Sequence, residues 1–318
     1  MKVLMFVQAQ ERIDFSHYYR EIGRHCDLDL HRLSKADQAD LRRYCANIDL
    51  HKYDRVIIFL RFKLMIRQVV FLAQIPNLVL LEHDAVQNYH PLSKYQGKFL
   101  RHYRALPWVR VLCSGYQVTQ RLIGEGVDAV FVPKGFDDSF LSNQQHPRTI
   151  EVGFLGSTKS QVYSERLECV LAAKERLGVE VLQTDVGAPY CDALNQMRFF
   201  LCPDVNLGEY MIKNFEAMAC GCVLLTYDQG VEENRALGFE DGVNVVLFSD
   251  LDELEGKLNR LRESPEKVLS IAQAGERMVL ERFSYRHMAE NLVNALKAPL
   301  RTPRPLSWVE RLRAKTYR

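Results

Sequence analysis

The stretch Asn214-Phe-Glu-Ala-Met-Ala-Cys-Gly-Cys-Val-Leu-Leu-Thr226 predicts a short helix that ends at a glycine and leads directly into a buried strand. Phe215 and Ala219 recur at helical spacing, and Gly221 supplies the left-handed residue that commonly ends a helix. Residues 222–225 are apolar and suit the middle of a parallel sheet. This unit indicates an α/β fold.

Glu216 is the polar exception within the apolar run 215–219 of this helix. A buried carboxylate needs a partner, because burial of an unpaired charge is unfavourable. Two hydroxyl groups of a ligand would be such a partner, and the amides at the start of the helix would bind a phosphate. The alternative is that Glu216 caps or pairs locally in an ordinary αβ unit.

These residues resemble the donor-site motif of the group 1 (family 4-like) glycosyltransferases, whose fold is called GT-B. In that family, Phe or Leu followed by Glu-Ala-Met-Ala-Cys-Gly carries the glutamate that binds the ribose of a sugar nucleotide, which here is Glu216. The match runs over residues 215–221, and the resemblance covers roughly residues 150–297. It implies a hexosyltransferase-like enzyme that uses a nucleotide-diphosphate sugar.

The chain alternates predicted strands and helices twice, which indicates two doubly wound parallel sheets. We therefore predict an α/β fold with two Rossmann-like domains (GT-B) that face a central cleft, and an active site at the carboxyl ends of the strands. The predicted boundaries are 1–141 for an N-terminal acceptor domain, 142–149 for a linker, 150–297 for a C-terminal donor-nucleotide domain and 298–318 for a basic tail. The predicted strands are 2–8, 28–33, 55–60, 78–82, 109–114, 150–157, 180–183, 198–202, 222–227 and 245–248, and the helices of the first half are 15–24, 35–46, 63–73, 95–106 and 116–125.

The segment Gly153-Phe-Leu-Gly-Ser157 ends a predicted strand, so its small residues would let backbone amides approach a diphosphate. The resemblance implies a basic residue after this loop that neutralises the leaving diphosphate, either Lys159 or Arg166; a solvated helix face is the alternative for each. Lys213 begins the motif helix, where a cation is unfavourable unless an anion binds there as well. The predicted donor-binding residues are Gly156, Ser157, Lys159, Arg166, Lys213, Asn214 and Glu216.

His83 and Asp84 follow a predicted strand of the first half, where polar groups point toward the active-site edge in this architecture. The resemblance implies a role for one of them beside the sugar and acceptor, as a base or hydrogen-bond partner; the alternative is a loop in which Asp84 caps a helix. The family pattern has a second glutamate eight positions before Glu216, where this chain has Gly208. Glu209 is one residue out of register and is the predicted substitute.

We expect no metal and no cofactor other than the donor substrate. Asp27-Leu-Asp29 and Asp250-Leu-Asp252 match a metal-binding Asp-x-Asp pattern only superficially, because the first lies at a predicted strand and Asp250 suits a helix cap. Positive charge from Lys159, Arg166 or Lys213 would stabilise the departing diphosphate instead.

The 318-residue chain has 47% hydrophobic residues, 26% charged residues and a net charge of +2, which is ordinary for globular domains. No apolar run approaches the length of a bilayer span, and the first apolar segment is too short for a signal peptide. The eight cysteines lack metal-ligand spacing and are interpreted as small buried hydrophobes in a reducing compartment. We therefore expect a cytoplasmic protein.

Positive charge is concentrated in residues 297–318, which contain seven basic residues and one acidic residue. With Trp308 and Leu312 this tail predicts an amphipathic helix in peripheral contact with the inner face of an anionic membrane. The alternatives are a solvated tail or a helix that crosses back onto the first domain. No nucleic-acid-binding motif accompanies the charge. A second basic set indicates an anionic glycan or lipid-linked acceptor: Lys63, Arg67, Lys94, Lys98, Arg101 and Arg104.

The sequence thus predicts a glycosyltransferase that moves a sugar from a nucleotide-diphosphate sugar to a glycan or lipid-linked acceptor. Cell-surface polysaccharide or lipopolysaccharide assembly is the expected process, and retention is the family default. A noncatalytic sugar-nucleotide-binding or scaffold protein would account for Gly208. A nicotinamide-dependent oxidoreductase would account for tandem Rossmann-like sheets, but residues 7–10 lack the glycine fingerprint of such enzymes.

Overall fold

The computed structural model of the chain describes residues 1–11, 13–156 and 164–315. It divides into two compact units, of which the first contains Met1–Val132 and the chain from Ala289 onward, and the second contains Pro133–Met288. The division differs from the boundaries predicted from the sequence. Residues 142–149 lie inside the second unit, because the Asn143 amide donates to Glu276 (2.8 Å) and the Gln144 amide donates to Asn195 (2.8 Å).

The first unit is built on one parallel sheet flanked by helices. Its strands are β1 (Lys2–Gln8), β2 (Asp27–Leu33), β3 (Arg55–Phe59), β4 (Leu78–Glu82), β5 (Arg110–Cys113) and β6 (Asp128–Phe131). Among the described residues they pair in the order β2-β1-β3-β4-β5-β6. The helices between them are α1 (Ser16–His25), α2 (Lys35–Ala39), α3 (Leu41–Tyr44), α4 (Phe62–Met65), α5 (Val69–Leu72), α6 (Lys98–Arg104) and α7 (Tyr116–Gly124), with short 3-10 helices at Cys45–Asn47, Leu50–Lys52, Ile66–Gln68 and Ala85–Asn88.

The second unit repeats this architecture. Its strands are β7 (Ile150–Leu155), β8 (Glu180–Leu182), β9 (Met197–Cys202), β10 (Val223–Tyr227) and β11 (Val246–Phe248). Within the described residues they form a parallel sheet in the order β11-β10-β9-β7-β8. Its helices are α8 (Ser164–Leu177), α9 (Ala188–Gln196), α10 (Ile212–Ala219), α11 (Val231–Leu237), α12 (Leu251–Arg262) and α13 (Pro265–Arg282).

The C-terminal part of the chain packs on the first unit from Ala289 onward. The residues of α14 (Tyr285–Lys297) fall in both units, and α15 (Trp308–Lys315) packs against α5. Arg110 donates to the carbonyl oxygens of Ala298 (3.0 Å) and Pro299 (2.8 Å), which fixes the start of the tail. No helix of the described residues is long and apolar enough to cross a membrane.

The α/β architecture with two parallel sheets confirms the predicted fold class. The predicted helix 35–46 is interrupted, because the Asp40 carboxylate accepts the amide of Arg43 (3.0 Å) and begins α3. The predicted helix 63–73 is likewise divided into α4, a 3-10 turn and α5. Strand β6 and helices α9 and α11 were not among the predicted elements.

Helix α10 ends at the glycine that the sequence predicted. Gly221 has a φ of +77°, and a Cβ atom there would lie 2.7 Å from the Arg148 guanidinium. That guanidinium donates to the carbonyl of Cys220 (2.6 Å) and to that of Met197 (2.9 Å). It therefore gives the Cys220 carbonyl at the end of α10 a hydrogen-bond partner and connects this helix end to the start of β9.

Candidate active site

The predicted donor residues gather where β7 and β9 end and where α10 begins. The Lys213 ammonium donates to the carbonyl oxygen of Leu155 (2.7 Å), which ties the first turn of α10 to the end of β7. Gly156 follows directly, and a Cβ atom at this position would lie 2.7 Å from the Phe154 ring. The backbone at Gly156 and the Lys213 side chain therefore share the carboxyl edge of the second sheet. Ser157 and Lys159, also predicted here, lie outside the described residues.

Glu216 lies on α10 and is only 9% exposed. Its carboxylate accepts a hydrogen bond from the hydroxyl of Tyr190 on α9. Burial raises the pKa of Glu216, while the Tyr190 hydrogen bond and the Lys213 charge act in the opposite direction. The carboxylate therefore has a polar partner in the protein, which lies on a different helix and 26 residues away in the chain.

Lys213 adds positive charge beside this carboxylate. Its ammonium lies 5.3 Å from the centroid of the Tyr190 ring, in a cation–π contact with the residue that donates a hydrogen bond to Glu216. Burial lowers the pKa of Lys213, and the Glu216 charge partly offsets that effect. No side chain caps the start of α10, whose N-cap is Met211. The positive end of the α10 dipole and the Lys213 ammonium therefore both create a positive potential at the start of α10. Such a potential suits the binding of a diphosphate.

Arg166 and Asn214 also lie near the carboxyl edge of the second sheet, and each has a different partner in the protein. Arg166, on α8, forms an ion pair with Asp204, the side chain two residues beyond the end of β9. Asn214 is fully buried, and its amide donates to the Met211 carbonyl (2.9 Å). Asn214 therefore supports the loop before α10, and its Oδ1 atom has no hydrogen-bond partner among the described residues.

Glu209 is buried in an ion pair with Lys134. The carboxylate is 1% exposed and accepts from the Lys134 ammonium at 2.9 Å, and the ammonium is 3% exposed. Next to it, Gly208 donates its amide to the Gln229 side chain (2.7 Å), and Gln229 donates to the Asp204 carbonyl (2.7 Å). The loop between β9 and α10 is thus held by internal contacts, and the Glu209 carboxylate is occupied by Lys134.

His83 and Asp84 belong to the first unit and follow the end of β4. The His83 ring packs edge-on against Phe59, with 4.9 Å between centroids, and against Phe15 at 6.0 Å. Asp84 is exposed, and it starts the 3-10 helix Ala85–Asn88 without a side-chain capping bond. Its amide donates to the Glu82 carboxylate (2.9 Å). Asp84 therefore occupies the N-cap position that the alternative interpretation gave it, but its carboxylate makes no capping hydrogen bond to this helix.

No group of three or more His, Cys, Asp or Glu side chains in the described part of the chain is arranged to hold a metal ion. A cavity of about 650 Å³ opens at the opposite, amino-terminal edge of the second sheet, between the start of β9 and helix α13. The motif carboxylate and Lys213 do not line this cavity. The cavity and the carboxyl-edge site are therefore separate features of the second unit.

Comparison with known proteins agrees with this geometry. The model of the family described as glycosyl transferase-like matches residues 155–294, which include the whole motif. Anabaena HepE in complex with UDP and glucose is 15% identical, with a TM-score of 0.64 over 94% of this chain and 100% of that chain. T4 phage BGT in complex with its UDP-glucose substrate is 12% identical, with a TM-score of 0.62 over the same shares of the two chains.

S. aureus TarM is 12% identical, with a TM-score of 0.55 over 77% of this chain and 56% of that chain. A search of curated protein sequences gave no match. The structural similarities confirm the predicted GT-B fold. The family match confirms the predicted resemblance to glycosyltransferases, and with it the prediction that the chain is an enzyme of this class. Membership of the family 4-like group stays a prediction.

Sequence reasoning missed three residues that shape the site: Tyr190, Asp204 and Lys134. Tyr190 lies on α9, a helix that the hydrophobic pattern did not reveal. Asp204 could have been found, since it follows the end of β9 as polar site residues of parallel sheets commonly do. No local sequence pattern indicated the role of Lys134, because its partner Glu209 is 75 residues away in the chain.

The buried Lys134–Glu209 ion pair predicts that Glu209 stabilises the fold. We expect Glu209→Gln to lower the free energy of unfolding by about 3 kcal/mol, because it leaves the buried Lys134 charge unpaired. The double variant Lys134→Met/Glu209→Leu should recover most of the loss, since it removes both charges. Urea unfolding of each purified variant measures this.

The matched control is Glu232→Gln, which breaks an exposed pair with Arg235 and should change stability by less than about 0.5 kcal/mol. If Glu209→Gln kept normal stability but lost sugar transfer, Glu209 would act on the substrate and the structural role would be refuted.

Proposed function

We propose that this chain transfers a sugar from a UDP-sugar to a glycan or lipid-linked acceptor, as in the assembly of cell-surface polysaccharide or lipopolysaccharide. The observation that carries the proposal is the buried Glu216 carboxylate, which lies beside Lys213 at the carboxyl edge of the second sheet. The choice of uridine is supported by HepE and BGT, whose structures contain UDP or UDP-glucose.

In this proposal Glu216 accepts hydrogen bonds from the ribose hydroxyls, which replace or join the bond from Tyr190. Lys213 and the N-terminus of α10 bind the diphosphate and stabilise the charge that grows on it as the sugar leaves. The backbone at Gly156 lets the diphosphate come close. Arg166 contributes less net charge, because Asp204 already neutralises it. Neither a metal nor a cofactor is required by this arrangement.

The first unit would present the acceptor, with His83 and Asp84 next to the reacting hydroxyl. Asp84 is exposed and makes no side-chain capping bond, which suits a group that accepts a proton or a hydrogen bond from a substrate. His83 is held by Phe15 and Phe59, so its ring is oriented before any ligand binds. We propose retention of the anomeric configuration, and proton NMR of the first product formed would show inversion if this is wrong.

We expect UDP-glucose or a related UDP-sugar to raise the melting temperature of the protein, because a ligand that binds only the native state stabilises it. At 100 times Kd the gain is about 2.7 kcal/mol. Glu216→Gln keeps the shape but removes the charge, and hydrogen bonds to a charged group contribute about 1.5–3 kcal/mol. We therefore expect this variant to bind at least tenfold more weakly, as measured by calorimetry.

Glu276→Gln is the matched control, since Glu276 bonds Asn143 beside the cavity at the amino edge of the same unit. It should bind the donor as the wild type does. Equal binding by Glu216→Gln and the wild type would refute the donor site. Stabilisation by a nicotinamide cofactor and by no sugar nucleotide would refute the glycosyltransferase mechanism, and donor binding without transfer to any acceptor would favour the scaffold alternative.

We also propose peripheral contact between the tail and an anionic membrane, which would bring a lipid-linked acceptor to the enzyme. Trp308 is 73% exposed and Leu312 is 53% exposed on α15, one helical turn apart. Exposed aromatic and aliphatic side chains near basic residues are typical of helices that lie at a membrane surface. Helix α15 packs against α5, in the same unit as the exposed basic residues Lys63 and Arg67.

We expect the protein to sediment with phosphatidylglycerol vesicles and not with phosphatidylcholine vesicles, and to be released by salt, because screening weakens the charge attraction. Trp308→Ser/Leu312→Ser should reduce vesicle binding severalfold without lowering the melting temperature. The exposed pair Ile123→Ser/Leu171→Ser, distant in sequence from α15, is the control and should bind as the wild type does. Equal binding to both lipids would contradict this contact.

A further inference from the structure

The cavity of about 650 Å³ at the amino-terminal edge of the second sheet has no part in the proposed sugar transfer. Its volume lies within the range of about 300–1,000 Å³ that is usual for sites of small organic molecules. Neither Glu216 nor Lys213 lines it. A molecule bound here would therefore occupy a site separate from that of the donor.

The inner wall of the cavity is apolar. Phe199 and Val223 lie side by side near the starts of β9 and β10, because the two strands pair at these residues. Leu261 on α12 and Val268 on α13 also line the cavity, and both pack with the hydrophobic core of the unit. Leu269, another lining residue, is 57% exposed, so a ligand would cover an apolar side chain that is open to water. Burial of that surface favours a ligand with an apolar body.

The rim of the cavity carries one more positive than negative side chain. The charged lining residues are three arginines and two glutamates: Arg148, Arg198, Arg262, Glu151 and Glu276. The two carboxylate oxygens of Glu151 each accept from Arg262 at 2.9 Å, so these two charges offset each other. Asn143 accepts from Arg148 (3.0 Å) and donates to Glu276 (2.8 Å), which links a second pair of opposite charges. The excess positive charge is that of Arg198.

Arg198 has no carboxylate partner of its own. It is exposed and forms no hydrogen bond or ion pair with the residues that the structure describes. The pairing of β7 with β9 gives Arg198 the position next to Glu151, but both oxygens of Glu151 already bind Arg262. A guanidinium group binds a carboxylate through two parallel hydrogen bonds, as Arg262 does here. The Arg198 side chain is therefore available to a carboxylate that a ligand brings.

We propose that this cavity is a second binding site, which takes an organic carboxylate with an apolar body. The carboxylate binds Arg198 at the rim, and the apolar body lies against Val223 and Leu269. The lining residues all belong to the second unit and include none of the proposed donor residues. The inference is therefore independent of the proposed sugar transfer.

Calorimetry of the full chain with 2-naphthoate and with its neutral analogue 2-naphthamide tests the site. The two molecules share one apolar body, and only 2-naphthoate carries a carboxylate. We expect the wild type to bind 2-naphthoate about fivefold more tightly than 2-naphthamide, which is the upper range for an ion pair open to solvent.

Two variants locate the binding. Arg198→Gln should abolish the preference for 2-naphthoate and leave the binding of 2-naphthamide unchanged. Leu269→Ser should weaken the binding of both molecules about threefold, because it removes apolar surface from the cavity. Both side chains are exposed, so each variant should keep the melting temperature of the wild type. The matched controls are Arg235→Gln and Leu280→Ser, which change exposed residues outside the cavity and should bind as the wild type does.

Any of four results would overturn the inference: no binding of 2-naphthoate, equal binding of the two molecules by the wild type, a preference that Arg198→Gln retains, or unchanged binding by Leu269→Ser. Failure of the wild type to bind UDP-glucose would instead refute the proposed function. The measurements with 2-naphthoate would still decide whether the cavity binds organic carboxylates.

Discussion

The second unit is organised around one buried carboxylate. Glu216 must keep a partner, since an unpaired charge in this position would be strongly unfavourable. Tyr190 donates a hydrogen bond to it and Lys213 supplies a nearby positive charge. The Tyr190 hydrogen bond connects α9 to α10, and the hydrogen bond from Lys213 to the Leu155 carbonyl connects α10 to the end of β7. The side chains of Tyr190, Lys213 and Glu216 are thus held in place by the protein itself, and if Glu216 binds the donor as proposed, less ordering is required on binding.

The buried polar groups of the loop between β9 and α10 also have partners within the protein. Gln229 bridges the Gly208 amide and the Asp204 carbonyl, and Glu209 is drawn into the Lys134 pair. A side chain at position 208 would also have to adopt a φ of +80°, which disfavours residues other than glycine. Gly208, which stands where the family pattern has the second glutamate, therefore belongs to a loop with its own hydrogen-bond network. Moving Glu209 by one residue into the position of Gly208 would break that network.

Much of the fold follows from local sequence patterns. Strands β1 and β4 have the predicted bounds, since each is a short apolar run between polar residues. The end of α10 follows from Gly221 and its positive φ. The predicted helix over 35–46 divides because Asp40 can serve as a cap, and a hydrophobic period does not detect this competition between local hydrogen bonds.

The site was less predictable, because its contacts join residues that are far apart in the chain. The motif revealed Glu216, but Tyr190 lies 26 residues before it on a helix with a weak apolar stripe. The sequence indicated that either Lys159 or Arg166 could neutralise a diphosphate, yet the ion pair with Asp204 decides how much charge Arg166 can offer. A sequence shows which residues can carry charge, whereas the neutralising partners depend on packing.

In the proposed mechanism, the distribution of charge favours Lys213 over Arg166 as the cation that binds the diphosphate. Arg166 and Lys134 are both matched by buried carboxylates, so each pair adds little net potential at a distance. The Lys213 ammonium donates to the Leu155 carbonyl, a neutral group, and the nearby Glu216 carboxylate offsets part of its charge. Its pKa is already lowered by burial, and a bound diphosphate would stabilise the charged form. Binding of the donor and protonation of Lys213 should therefore favour each other, as linkage between two equilibria requires.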